Sequence, residues 1–162
     1  LTSMFIHADI SHFGGNMLFL WVFGSSVENA TGHVRFVILY LLCGVAAGFG
    51  QALVDPGSTV PVVGASGAIS GIMAAYLLVY PFTRVRVATL IGFRFMVFRV
   101  PALVVIGGWI ALQAWEMIRA SASGQDGGVA WTAHVGGFVA GMLLIMVLRR
   151  SGVKLFALEQ QA

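Results

Sequence analysis

The stretch at residues 62–82, VVGASGAISGIMAAYLLVYPF, decides the architecture. It contains no Asp, Glu, Lys or Arg, and it matches the ~20 apolar residues that a helix needs to cross ~30 Å of hydrocarbon. The run is continuously apolar and does not alternate with period two, so helix is the spanning form. Four further runs have the same character: 13–27, 36–54, 100–118 and 129–148, with Glu116 the one charged exception. Apolar residues make up 59% of the chain and charged residues only 9%, with a mean hydropathy of +0.93. Soluble domains average about 25% charged. The chain therefore reads as an all-α polytopic membrane protein with five transmembrane helices, and an ordinary soluble domain is excluded.

The basic residues set the orientation. If the turn at 28–35 faces the cytoplasm, Arg35 lies inside, as do Arg84, Arg86, Arg94 and Arg99 in the second inner turn and Arg149, Arg150 and Lys154 in the tail. Of the 9 Lys and Arg residues, Arg119 alone falls outside, in keeping with the positive-inside rule. The net charge of +3 thus reports topology, and no basic cluster with interleaved aromatics suggests nucleic acid. The single cysteine, Cys43, rules out an internal disulfide and, within an apolar run, reads as a packing residue. No signal peptide is visible, and the start at Leu1 beside a polar loop suggests that an upstream segment, including at least one helix, has been cut away.

No linker, repeat or low-complexity tract divides the sequence, so residues 1–162 are expected to form one domain. The outer loops are placed at 54–63 and 121–128, the second polar and glycine-rich as a mobile loop should be. The inner loop at 83–99 mixes Arg with Phe and Met and reads as an interfacial anchor, with Pro101 in the first turn of the next helix. Small residues mark where helices should touch, at Gly67 and Gly71 on one span and Gly137 and Gly141 on another.

Rise per residue places the polar side chains in depth. Ser66 lies 15 residues before Pro81, and His134 lies 15 before Arg149, each ~22 Å above the inner face. Asn16 and His12 precede Glu28 by 12 and 16 residues, ~18 and ~24 Å. All four fall in one outer-half layer. Facing lipid would be costly, so they are expected to face one another or a water-filled cavity. His12 and Asn16, four apart, share a helix face, whereas His7 belongs to the loop leading in.

His7-x4-His12-x3-Asn16, then Gly64-Ala65-Ser66-Gly67, then Ala133-His134-x2-Gly137-x3-Gly141 resembles the rhomboid family of intramembrane serine proteases over nearly the whole chain. The resemblance implies a serine–histidine dyad, with Ser66 as nucleophile and His134 as general base, and no third carboxylate. It implies an oxyanion hole from His12, Asn16 and the backbone N–H of Ser66, with His7, Gly64, Gly67 and Gly137 in support. It implies no cofactor and no metal, transmembrane proteins as substrates, and the lipid bilayer as surroundings. The family's first core helix and most of the loop after it are missing, apart from a remnant around residues 2–10. Some members carry an aromatic stacked on the histidine four residues after the serine, where this chain has Ser70.

Other readings compete. A non-catalytic relative that binds transmembrane clients would typically lose the serine or the histidine, and both are present. A zinc site from His7, His12 and His134 lacks a carboxylate ligand and has poor spacing for helical co-ligation. A channel would carry more than one polar layer. Glu116 is expected to pair with Arg119 or Gln113 and not to enter the site. The favoured reading is a multi-pass endopeptidase, in the plasma membrane of a prokaryote, with its site open to the extracytoplasmic side. The loop at 121–128 and the outer end of the helix at 101–119 would form the gate.

Overall fold

The computed structural model describes residues 1–54, 56–57, 63–123 and 131–157, with only the backbone of Ile91, Ala120, Ser121 and Ser123. Within them run five helices and one hairpin: α1 (Ile10–Thr31), α2 (His33–Val54), α3 (Ser66–Val79), β1 (Arg84–Ile91), β2 (Arg94–Pro101), α4 (Ala102–Ser123) and α5 (Trp131–Leu148). A short 3-10 turn, Thr2–Phe5, precedes α1. By length and composition α2, α4 and α5 can each cross a membrane. Helix α1 is as long as α2 but carries Ser11, His12, Asn16 and Glu28. Helix α3 spans only 14 residues, ~21 Å.

That short helix is the centre of the bundle. It packs against α1, α2, α4 and α5, and all of its residues from Gly67 to Tyr76 are buried. Around it, Val27, Leu39, Cys43, Ile106 and Ile145 complete a fully enclosed core. The outer helices instead present Trp21, Val34, Phe49, Leu53, Leu143 and Val147 to their surroundings. This inside-out distribution suits a hydrocarbon solvent, because lipid tails are as apolar as a protein core. Close packing replaces hydrophobic exclusion at the α3–α5 crossing. A Cβ on Gly137 would overlap the Gly67 carbonyl oxygen, and one on Gly141 would overlap the backbone of Gly71.

The inner end departs from expectation in three places. The turn expected at 28–35 shrinks to one residue, Gly32, whose φ of 87° lets α1 run to Thr31 and α2 start at His33. The inner loop is an antiparallel hairpin with register from Arg84↔Pro101 to Ile91↔Arg94. Its two-residue turn has Gly92 at φ 62° followed by Phe93 at negative φ, as a II′ turn requires. Pro101 therefore ends β2, where a missing N–H costs no ladder bond, and α4 begins one residue later. The first amides of α4 donate to Thr83 and Pro81 carbonyls at 2.9 Å each.

After α5 the chain folds back, and the amides of Phe156 and Ala157 donate to the Leu78 and Val79 carbonyls at the end of α3. At the outer end, residues 121–123, expected in a loop, continue α4. The rest of that loop and most of the loop at 54–63 lie outside the described residues.

Candidate active site

Ser66 opens α3. Gly64 before it takes φ 109°, and among the described residues no side-chain hydrogen bond caps the helix at Ala65, at the end where the first-turn amides lack intrahelical acceptors. The Gly64 amide donates to the Ser3 carbonyl at 2.9 Å, so the segment ahead of α1 pins the loop that carries the serine. Met4 is buried there against Gly44.

His134, in the first turn of α5, lies beside Ser66. Its Nε2 is 2.7 Å from Ser66 Oγ, and its Nδ1 is 2.6 Å from Oε1 of Gln113 on α4. The amide oxygen of Gln113 can only accept, so Nδ1 carries the ring proton and Nε2 is left to accept from the serine hydroxyl. Gln113 is 6% exposed. The ring is flanked by Trp109, with centroids 5.7 Å apart, and by Trp131 at 6.3 Å. These indoles contact the histidine, while position 70 carries a serine.

Ser70 has a different task. Its hydroxyl lies 2.7 Å from the Gly67 carbonyl and 2.8 Å from the His134 carbonyl, tying α3 to α5 at the level of the site. Gly137 keeps this junction tight, since its Cβ would also lie 2.7 Å from Ser70 Oγ.

His12 approaches from α1. Asp9 caps that helix by accepting from the His12 amide at 2.8 Å, and Ser11 Oγ donates to the same carboxylate oxygen at 2.5 Å. The Ser11 bond first, and the His12 amide second, hold the Asp9 carboxyl below its ordinary value of 3.8. The His12 ring accepts from the Ala8 amide through Nδ1 at 3.4 Å, which makes Nε2 the protonated nitrogen of the neutral ring. A Cβ on Gly64 would meet that Nε2 at 2.8 Å and Ser66 Oγ at 3.8 Å. The imidazole N–H and the serine hydroxyl thus converge on one point of backbone.

Asn16 is 6% exposed and donates one Nδ2–H to the His12 carbonyl at 2.9 Å. Asn16 makes no hydrogen bond to Ser66. His7 stacks edge-on against His12 and Phe13, and its Nε2 is buried without a hydrogen-bond partner among the described residues. Glu116 pairs with Arg119 at 3.1 Å and stays out of the site. Both nitrogens of His134 are engaged, and the described residues hold no group of three or more His, Cys, Asp or Glu able to bind a metal.

Sequence reasoning overlooked Gln113 as a partner of His134, along with Trp109 and Trp131. A signal for Gln113 existed: an amide in the middle of an apolar span needs a partner.

A helical membrane bundle with a short, enclosed central helix, a serine at its outer end and a histidine from a neighbouring helix in contact with it defines the class. The family model that matches, the Rhomboid domain, covers residues 1–151, and the chain belongs to the rhomboid family. "Rhomboid-like protein 11, chloroplastic" of Arabidopsis thaliana is 30% identical over 93% of this chain and 52% of its own length. "Rhomboid protein 1, mitochondrial" of Saccharomyces cerevisiae is 30% identical over 87% of this chain and 39% of its own. "Rhomboid protease GluP" of Bacillus subtilis is 38% identical over 49% of this chain and 15% of its own. The chain thus spans about half the length, or less, of these relatives. No solved structure matches it. A multi-pass membrane protein follows from the family and the fold. The narrower expectation of a prokaryotic plasma membrane draws no support from relatives named as chloroplastic and mitochondrial.

Proposed function

We propose that this chain is the catalytic core of an intramembrane serine endopeptidase that cleaves peptide bonds in or near the transmembrane segments of other proteins. The observation that carries the reading is the relay from Ser66 Oγ through His134 to Gln113, at 2.7 and 2.6 Å. A hydroxyl at its free pKa is a weak nucleophile, and a neutral imidazole with its free lone pair on the serine removes that limitation.

In the first step Ser66 Oγ bonds to the substrate carbonyl carbon while its proton passes to His134 Nε2. The carbonyl π electrons move to oxygen, giving a tetrahedral oxyanion. His12 Nε2–H, the free Nδ2–H of Asn16 and the Ser66 amide at the head of α3 are the donors for that charge. Each preorganised donor in a site sheltered from water contributes ~3–4 kcal/mol to the transition state. As the intermediate collapses, the C–N bond breaks and His134 gives its proton to the departing amine. A water then attacks the acyl-serine and passes its proton to Nε2. The second intermediate breaks the C–O bond, Ser66 recovers its proton, and the carboxylic acid leaves.

Gln113 acts throughout as a positioning residue, accepting from Nδ1 and holding the ring that accepts at Nε2. The outward-facing first turn of α3 favours access for water from the extracytoplasmic side. A substrate helix must unwind there to present its carbonyl.

Labelling by a fluorophosphonate probe and cleavage of a labelled transmembrane substrate test the reading together. Ser66→Ala and His134→Ala should each abolish both signals with the fold intact. Intact labelling of Ser66→Ala, or a wild-type chain that binds transmembrane segments but neither labels nor cleaves, would move the assignment to a client-binding rhomboid protein.

A further inference from the structure

The β1–β2 hairpin is unexplained by the site. Its register sets Arg86 opposite Arg99, with Arg84 two positions along on the same face. All three are exposed, and the hairpin sequence contains no acidic residue. Among the described residues the ion pairs are Glu28–His33 and Glu116–Arg119, so none of the described carboxylates neutralises these guanidiniums. Like charges directly opposite one another on paired strands are destabilising. A shared anion reverses that sign.

The tip has the opposite character. Further along the same face the cross-strand pair Leu90 and Phe95 is 65% and 73% exposed, and Phe93 in the turn is wholly exposed. The other face is anchored only at its base, where Val85 and Val87 join the core. Apart from Arg94, which pairs with Ile91 at a position of the other face, the tip is apolar and exposed, and such a patch marks a contact surface.

Position identifies the surface. The hairpin connects the C-terminus of α3 to the N-terminus of α4, at the end of the bundle that also holds Gly32 and residues 149–157. Eight of the chain's 9 basic residues belong to this end, which is therefore the cytoplasmic one. Anionic lipid headgroups lie there, within reach of the hairpin.

We propose that the hairpin is a membrane-surface anchor, in which Arg84, Arg86 and Arg99 bind the phosphates of anionic phospholipids while the Leu90–Phe95 tip enters the acyl boundary. Guanidinium forks match phosphate oxygens in bidentate geometry, so the arginines grip a headgroup and do not merely repel one another. This goes beyond the protease reading, and its test does not use cleavage.

The full chain, carrying a nitroxide at Phe95→Cys with buried Cys43 left unmodified, is reconstituted in phosphatidylcholine bilayers with or without phosphatidylglycerol. Collision with oxygen and with a water-soluble nickel complex then reports depth. With phosphatidylglycerol the label should be oxygen-accessible and nickel-protected. Each arginine near an anionic surface contributes about fivefold, so R86Q/R99Q should lower the immersed-to-aqueous ratio by about 30-fold. Arg35→Gln, at the same end but off the hairpin, should leave the ratio unchanged. Thermal unfolding of each variant in the same bilayers separates loss of anchoring from loss of fold. A label equally accessible to nickel in both compositions overturns the proposal, as does immersion that R86Q/R99Q leaves untouched. Spin–spin broadening that grows with the protein-to-lipid ratio would make the occupant a second copy. Displacement of the tip by inorganic phosphate would make it the free ion.

Discussion

Replacing Gln113 with Leu removes the acceptor of His134 Nδ1–H while keeping a side chain of similar bulk at a 6% exposed position. The cavity term is therefore small, and the loss is that of one hydrogen bond. Leaving a buried donor unsatisfied costs about 1–3 kcal/mol. When the imidazole takes the serine proton it becomes a cation, and the same bond becomes charge-assisted and roughly twice as strong. The penalty is thus larger in the transition state than in the ground state, and it appears in kcat. A loss of about 1.5–3 kcal/mol corresponds to a ~10- to 150-fold fall in kcat with KM unchanged. The fluorophosphonate labelling rate, which needs no substrate docking, should fall with it. Thermal unfolding in detergent records separately any loss of stability. Labelling of Gln113→Leu within about threefold of wild type would refute the argument, because a threefold effect is too small for a bond of this kind.

Other outcomes follow from the same geometry. Asn16→Ala should lower the cleavage rate by about 100- to 1000-fold without abolishing it, since one oxyanion donor is lost and the rest remain; single-turnover kinetics with a labelled substrate measures this. Gly137→Ala drives a Cβ into the Gly67 carbonyl, a backbone atom that cannot step aside, so unfolding should show a loss of about 1–3 kcal/mol. Gly107→Ala in α4 meets no atom within 4 Å and should be neutral or stabilising by up to about 1 kcal/mol. The Asp9 carboxyl, held below 3.8, contributes its cap at every pH above that value and loses it only as pH falls through the lower folded value. Hydrogen exchange at the His12 amide should therefore show equal protection at pH 7 and pH 5, and Asp9→Ala should lose that protection at both.

Much of the fold was legible because hydrocarbon leaves few options. Apolar runs that long must be helices, and one serine, two histidines and an asparagine at a common depth must find partners. The hairpin escaped notice because its arginines and aromatics read as a loop at the membrane surface. The signal was present in RVRVATLI and RFMVFRVP on either side of Gly92-Phe93, two strand-like runs around a two-residue turn with glycine first. Gln113 was missed for a different reason. A dyad without a third carboxylate was expected, so no acceptor behind the histidine was assigned, whereas a neutral amide oxygen on a neighbouring span can accept from Nδ1.

Sequence alone determined which segments span, which end is basic, which family the chain belongs to and which side chains are too polar to face lipid. Those are properties of single segments, set by transfer into hydrocarbon residue by residue. Only the tertiary structure decided that Ser66 and His134 touch, that Gln113 fixes the ring proton on Nδ1, and that Ser3 on the leading segment holds Gly64. These are relations between helices distant in the chain. Their distances come from how closely glycine lets backbones approach, as at Gly67 with Gly137 and Gly71 with Gly141, which no reading of one segment at a time contains.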